Sequence, residues 1–283
     1  MKHPARDFIL TILLILCALP VWWPLWFLAS GALMPLDELN ATIGPALGAA
    51  AGQTSWHLLP SWPTLQPITE LLLDTPQFFV MFWNTVAQVF PQVAGQLLVA
   101  TPAAWALSRL QFKGRGVLFA VYVVLMLLPF QVTMVPSYLV LGQFHLLNTA
   151  LAVILPGVFS AFPVFIMAKG FDAVPRALLE AAAIDGAGHG QTFLHIGLPL
   201  GVPGILSALV LSFLEGWNAI EQPMTFLKNP ALWPLSLYLS DISSGNLGVA
   251  MGASLVMLAP AALIFRFGQP YLELGIQASG IKE

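Results

Sequence analysis

Long apolar runs alternate with short polar connectors along this chain. A helix that crosses a bilayer needs about 20 mostly apolar residues. Six stretches reach that length: 8–33, 77–107, 117–141, 149–168, 200–220 and 247–267. The pattern predicts an all-α integral membrane protein of six transmembrane helices, forming a single membrane domain over 1–283. The second run is too long to cross upright, so it is either tilted or begins along the membrane interface. The first run starts with Lys2 and Arg6 and ends with Ala29, Ser30 and Gly31, as a signal peptide would. Its apolar stretch is about twice a signal's length, and Trp22, Trp23 and Trp26 suit an interfacial belt, so it is expected to be retained.

Two connectors are long. The segment 34–76 holds Asp37, Glu38, Glu70 and Asp74 with several Pro and Gly and no Lys or Arg. It predicts an irregular cap with a short helix near 69–74. The other, 169–199, is polar and rich in helix formers.

Composition supports the bilayer. The chain is 58% hydrophobic and 8% charged, against about 25% charged in soluble domains. Mean hydropathy is +0.84. The net charge of -3 and the scattered basic residues imply no nucleic-acid partner. Cys17, the sole cysteine, excludes an intrachain disulfide and is expected to be a small buried side chain.

The basic residues set the sidedness. Lys2 and Arg6 precede the first run; Arg109, Lys113 and Arg115 follow the second. Lys169 and Arg176 follow the fourth, and Arg266 and Lys282 close the chain; only Lys228 falls on the other side. Lys and Arg accumulate in cytoplasmic loops. Both termini are therefore expected inside, with 34–76 outside and the tail 268–283 cytoplasmic.

Within 169–199, Pro175 suits a first helical turn, and 177–184 is rich in strong helix formers. Asp185-Gly186 reads as a break, because Gly accepts the positive φ of a helix C-terminus. A second short helix is expected at 191–196, stopped before Pro199. The product is two short helices joined by a small-residue elbow. Leu178, Leu179 and Ile184 offer apolar surface to a partner's groove, and Glu180 offers a charge to a basic group or to the loop's own turn. A plain polar connector fits the same residues.

Glu180-Ala181-Ala182, then Gly186, then Ile196-Gly197-Leu198-Pro199, resembles the signature loop of ABC-importer permeases. Over roughly 77–283 the chain is similar to the carbohydrate-uptake, maltose-type branch. The residues carrying this likeness include Asn84-Thr85, the stretch Ala104–Arg109 with Phe112–Arg115, Leu128-Pro129, Val135-Pro136 and Leu147–Thr149. Further on they are Trp217-Asn218 with Pro223, Phe267, Gln269 and the closing Gly275–Lys282. Two places depart from it: Phe171–Pro175, more basic and aromatic in relatives, and the whole of 34–76.

The resemblance implies a permease of the bacterial plasma (inner) membrane. Its partners would be ATPase subunits carrying ATP and Mg, a second and different permease, and an extracytoplasmic binding protein that delivers a sugar or related polyol. It implies that Glu180, Ala181, Ala182, Ile184, Asp185, Gly186, Leu198 and Pro199 couple to the ATPase. The chain itself has no G-x-x-x-x-G-K-[ST] loop, no metal-ligand set around His189 and His195, and no cofactor. Pro129, Pro136, Pro156 and Pro163 would kink helices, whether or not the kinks move.

Glu215, an ionisable residue inside a run, is a solute-path candidate with Trp217 and Asn218, although its place near the outer end also suits contact with water. Gln131 and Tyr138 are the candidates in the third run; with Thr133 and Ser137 they serve equally as glue between helices. The competing readings are an ATP-independent secondary transporter or channel, and an intramembrane enzyme. Few intramembrane charges and no visible repeat oppose the first, and the lack of a catalytic pair inside a run opposes the second.

Overall fold

The computed structural model describes residues 4–46, 57–238 and 247–280, with side chains over 10–46, 57–238 and 247–274. Every regular element among the described residues is helical. They group into two compact units, Met1–Phe79 with Tyr238–Pro260 and Val80–Leu237 with Ala261–Glu283.

In the first unit, α1 (Pro4–Gly31) is apolar over Leu10–Gly31 and essentially unpacked by protein along that stretch. A helix of that character needs an apolar solvent. Cys17 is consequently exposed rather than buried, because residues 10–26 of α1 are all exposed. Only its end packs: Gly31 lies against Leu39 and Met251, and Met34, Leu39 and Leu247 form a small core. The connector that follows holds α2 (Leu36–Ile43) and α3 (Gln66–Thr69), which continues as a π-turn over Glu70–Asp74. The helix expected near 69–74 is thus the end of a longer one. The Glu38 carboxylate accepts from the Ser61 backbone N–H and hydroxyl, all at 3.1 Å.

The second run is one unbroken helix, α4 (Pro76–Arg109), 34 residues long, or about 51 Å at 1.5 Å per residue. Within the second unit, residues 84, 88, 92 and 96 form a polar stripe at one-turn spacing. Asn84 donates to the carbonyls of Ala231 and Trp233, Gln88 to Leu232 and Gln96 to Gly157, at 2.7–3.1 Å. Non-helical backbone survives at membrane depth only where such donors satisfy it.

The third run is not a straight span. It divides into α5 (Arg115–Leu127) and α6 (Phe130–Gln143), bent by 104°. Proline forces the residue before it out of the helical region, and Leu128 accordingly has ψ 128°. The fourth run becomes α7 (Leu151–Val158) and α8 (Ala161–Asp172), interrupted at Phe159-Ser160. The fifth ends earlier than expected, as α11 (Leu198–Trp217), where the Asn218 backbone N–H and Nδ2 both donate to Leu214 O. A short α12 (Glu221–Phe226) follows. The last helix, α13 (Leu247–Gly280), extends through most of the expected tail. Among the described residues four helical stretches are long and apolar enough to cross a membrane, or five if the bent pair counts as one.

The tightest pairing is α8 with α11. Gly170 faces Gly204 so closely that a Cβ on Gly204 would lie 2.6 Å from the Gly170 Cα. Gly201 faces the Phe171 ring, and Gly197 faces the Trp105 ring. Small residues let helix backbones approach in this way.

Candidate functional site

The connector after α8 folds as helix, elbow, helix. Pro175 precedes α9 (Arg176–Ile184), and α10 (His189–Thr192) follows the elbow. At the end of α9, Ala187 N donates to Ala182 O at 2.9 Å and Gly186 N to Ala183 O at 3.1 Å. These two bonds make a Schellman motif, whose C′ residue takes a left-handed conformation. Gly186 occupies that place with φ 81°. The Gln191 side chain then accepts from Gly188 N at 3.0 Å, and Thr192 Oγ1 donates to Gly188 O at 3.1 Å, holding the start of α10.

The second helix does not stop before Pro199. A π-turn at Phe193–Gly197 joins α10 directly to α11. A π-turn shifts the hydrogen-bond register, and Pro199, in the first turn of α11, lacks the N–H that this shift would leave without a partner.

The two faces of the hairpin differ. Ala182 is buried, and Leu179, Phe193 and Leu198 pack on a core of Ala104, Trp105, Met167 and Phe171. The Trp105 ring meets Phe171 edge-on at 5.3 Å and Phe193 at 5.6 Å. On the other side Glu180, Ala181, Ala183, Asp185, Gly186 and Pro199 are exposed, and Ile184 is 87% exposed. Leu178 is exposed too, whereas Leu179 turns inward onto the core, so two of the three apolar residues, Leu178 and Ile184, lie on the exposed face. Asp185, Gly186, Gln191 and His195 line an open concavity at the elbow. No cluster of three metal-ligating side chains occurs among the described residues.

Arg109 closes α4 beneath this hairpin. Its Nε donates to Phe171 O at 2.9 Å, and its Nη2 reaches both Phe171 O and Val174 O. Ser108 Oγ donates to Asp172 Oδ1 at 2.7 Å. Lys169 lies 3.8 Å from the other Asp172 oxygen and over the Phe119 and Phe165 rings. Burial lowers the Arg109 pKa and Asp172 raises it; an arginine so placed stays protonated. The guanidinium thus holds the carbonyls of Phe171, in the last turn of α8, and Val174, just past it, at the root of α9. In the sequence Arg109 marked sidedness and belonged to the stretch that carries the family likeness, but its role as a cap was not anticipated. The signal that was available is a cation closing an apolar run, where an unpaired charge is costly.

Replacing Arg109 by alanine is expected to cost about 1.5–3 kcal/mol, the scale for hydrogen bonds to a charged group. The check is the thermal midpoint of the purified protein. Lysine should restore less than half of the loss, since one ammonium cannot fork to two carbonyls.

The solute-path candidates lie in different settings. Gln131 Nε2 donates to the Glu221 carboxylate at 2.8 Å, and Glu221 was not anticipated. Tyr138 packs on Phe226. Trp217 is 2% exposed, stacked on Phe213 and edge-on to Phe82. Asn218 caps α11, and Glu215 is exposed on that helix.

A wholly helical described chain, with four or five apolar stretches of bilayer length and an exposed helix–elbow–helix, has the make-up of a membrane component. The chain belongs to the family of binding-protein-dependent transport system inner membrane components, whose model matches residues 96–276. The family comprises the permease components of ABC importers, so this is a transport subunit and not an enzyme. Relatives include the arabinooligosaccharides transport system permease protein AraQ of Halalkalibacterium halodurans, 27% identical over 90% of this chain and 93% of that one. A probable ABC transporter permease protein of Pyrococcus horikoshii is 31% identical over 89% and 93%. The lactose transport system permease protein LacG of Rhizobium radiobacter is 29% identical over 68% and 71%. A chain from the crystal structure of a bacterial ABC transporter involved in the import of the acidic polysaccharide alginate superposes with TM-score 0.79, at 21% identity, covering 96% of this chain and 99% of that chain.

Proposed function

We propose that this permease carries a sugar or related polyol across the bacterial inner membrane, and that the connector 169–199 couples it to an ATPase subunit. The observation that carries the coupling is the exposed helix–elbow–helix at 176–192. It lies within the family-matched stretch, its inner face is locked to the permease core, and its outer face, with Glu180, Ala181, Ile184, Asp185 and Gly186, is free for a partner. Ala182 and Leu198 hold the hairpin to the core, while Pro199 sits at the exposed start of α11. Sugar as the solute class is supported by the named relatives that transport arabinooligosaccharides and lactose.

In this reading the chain is one permease domain with six membrane passages, both termini and the coupling loop on the cytoplasmic side. The long α4 and the bent α5–α6 pair supply the two passages beyond the four apolar stretches. ATP and Mg belong to the ATPase subunits, whose closure and opening would move helix groups as rigid bodies. A binding protein delivers the solute from outside, and a second, different permease completes the pathway. Gln131, Tyr138, Glu215, Trp217 and Asn218 are the residues of this chain assigned to the solute path.

Solute class is tested on the binding protein encoded beside this permease. Calorimetric titration with a panel of sugars, polyols, amino acids and metal ions is expected to give saturable binding to a sugar or polyol. Binding confined to amino acids or metals would overturn that assignment.

A further inference from the structure

Residues 57–65 expose a group of large apolar side chains beside the end of α1. Leu58, Leu59 and Leu65 are all exposed, and Trp62 is 81% exposed. One end of the segment is tied to the last turns of α1 and the other to Leu33, just past its end. Leu58 O accepts from Trp26 Nε1 at 3.0 Å and from Ser30 Oγ at 3.1 Å. Thr64 N donates to Leu33 O at 2.9 Å. Leu59 and Trp62 lie between these ties.

The ties fix a depth. The apolar part of α1, Leu10–Gly31, is 22 residues, or about 33 Å, and it matches the hydrocarbon core of about 30 Å. Trp26 and Ser30 fall in its last two turns, so Leu58 lies where hydrocarbon gives way to headgroups. We propose that residues 57–65 seat on the outer leaflet as an interfacial anchor, with Leu59 and Trp62 entering the boundary between headgroups and acyl chains. This rests on the membrane reading of α1 given above.

Two observations favour lipid over a protein partner. The Leu58 carbonyl holds two donors, and a satisfied carbonyl is what non-helical backbone needs near hydrocarbon. The nearby Glu38 carboxylate already accepts from the Ser61 N–H and hydroxyl, so it needs no partner's polar rim to satisfy it. No Lys or Arg occurs between Arg6 and Arg109, so attachment comes from buried apolar area and is independent of anionic lipid.

The test uses the full-length permease in nanodiscs. One sample carries a fluorophore on the native Cys17; two others carry it on Leu59→Cys or Leu65→Cys in a Cys17→Ser background. Quenching by lipids spin-labelled at the headgroup, at a shallow and at a deep acyl position, is compared with quenching by aqueous iodide. The proposal expects the probes at 59 and 65 to be quenched best by the shallow acyl label, at about 5–10 Å below the surface, equally in neutral and anionic lipid. The Cys17 probe should respond to the deep label. Probes at 59 and 65 quenched mainly by iodide, or shielded only when the binding protein is added, overturn the anchor while a deep Cys17 keeps the membrane reading. A Cys17 probe open to iodide overturns both.

Discussion

Replacing Gly204 by leucine is expected to remove the permease from the membrane as a folded, monodisperse protein, and alanine at the same place to lower its thermal midpoint. A Cβ on Gly204 would sit 2.6 Å from the Gly170 Cα, and one on Gly170 would sit 2.7 Å from the Gly204 Cα. Both obstacles are backbone, so no side chain can rotate away and the two helices must separate. Overpacking a fitted core costs about 1–3 kcal/mol, and here the strain reaches the neighbouring contacts of Gly201 with Phe171 and Gly197 with Trp105. Gly190→Ala is the control, because nothing lies within 4 Å of its added carbon; it should stay within about 0.5 kcal/mol. Fluorescence-detected size exclusion with a thermal ramp reads all three. An unchanged midpoint for Gly204→Leu would show that α8 and α11 do not meet at these glycines.

The second large effect is expected at the elbow, on transport rather than on stability. Gly186 has φ 81° and open space around its Cα, so a substitution there meets backbone strain alone. A left-handed conformation costs an ordinary residue roughly 1–2 kcal/mol, and a β-branched one more. Gly186→Val should break the Schellman bonds, reorient α10 against α9 and reduce solute uptake about tenfold, the factor that 1.4 kcal/mol represents. Gly186→Asn should keep most of the uptake, since Asn tolerates this conformation. Membrane abundance should be the same for both, because the elbow faces outward. Normal uptake by the valine variant would sink the idea that the elbow's shape matters.

The apolar runs were legible because bilayer burial writes itself into composition over 20 or so residues. The elbow was legible for a different reason: Asp185-Gly186 is local chemistry, a helix end that needs positive φ. His145 does the same at the end of α6, with φ 56° and the same pair of bonds, yet nothing in its identity announces it. The bend between α5 and α6 was hinted at by Pro129, but 104° is set by what the two halves pack against. Pro199 misled because the rule for a proline assumes the α register, and a π-turn had changed it. The anchoring of α9 was out of reach: Arg109 binds carbonyls 62 and 65 residues away, and no periodicity records such a pairing. The stripe at 84, 88, 92 and 96 was visible as spacing, but its partners are backbone carbonyls, which every residue owns.

In the proposed function the outer face of the 176–192 hairpin touches an ATPase subunit. A photo-crosslinker on Ile184→Cys, in a Cys17→Ser background and in native membranes of the source cell, tests it directly. The expected product is a covalent adduct with an ATP-binding subunit, its yield changing when ATP is added with vanadate. No adduct, from a site that a water-soluble maleimide labels fully from the cytoplasmic side, would contradict the account.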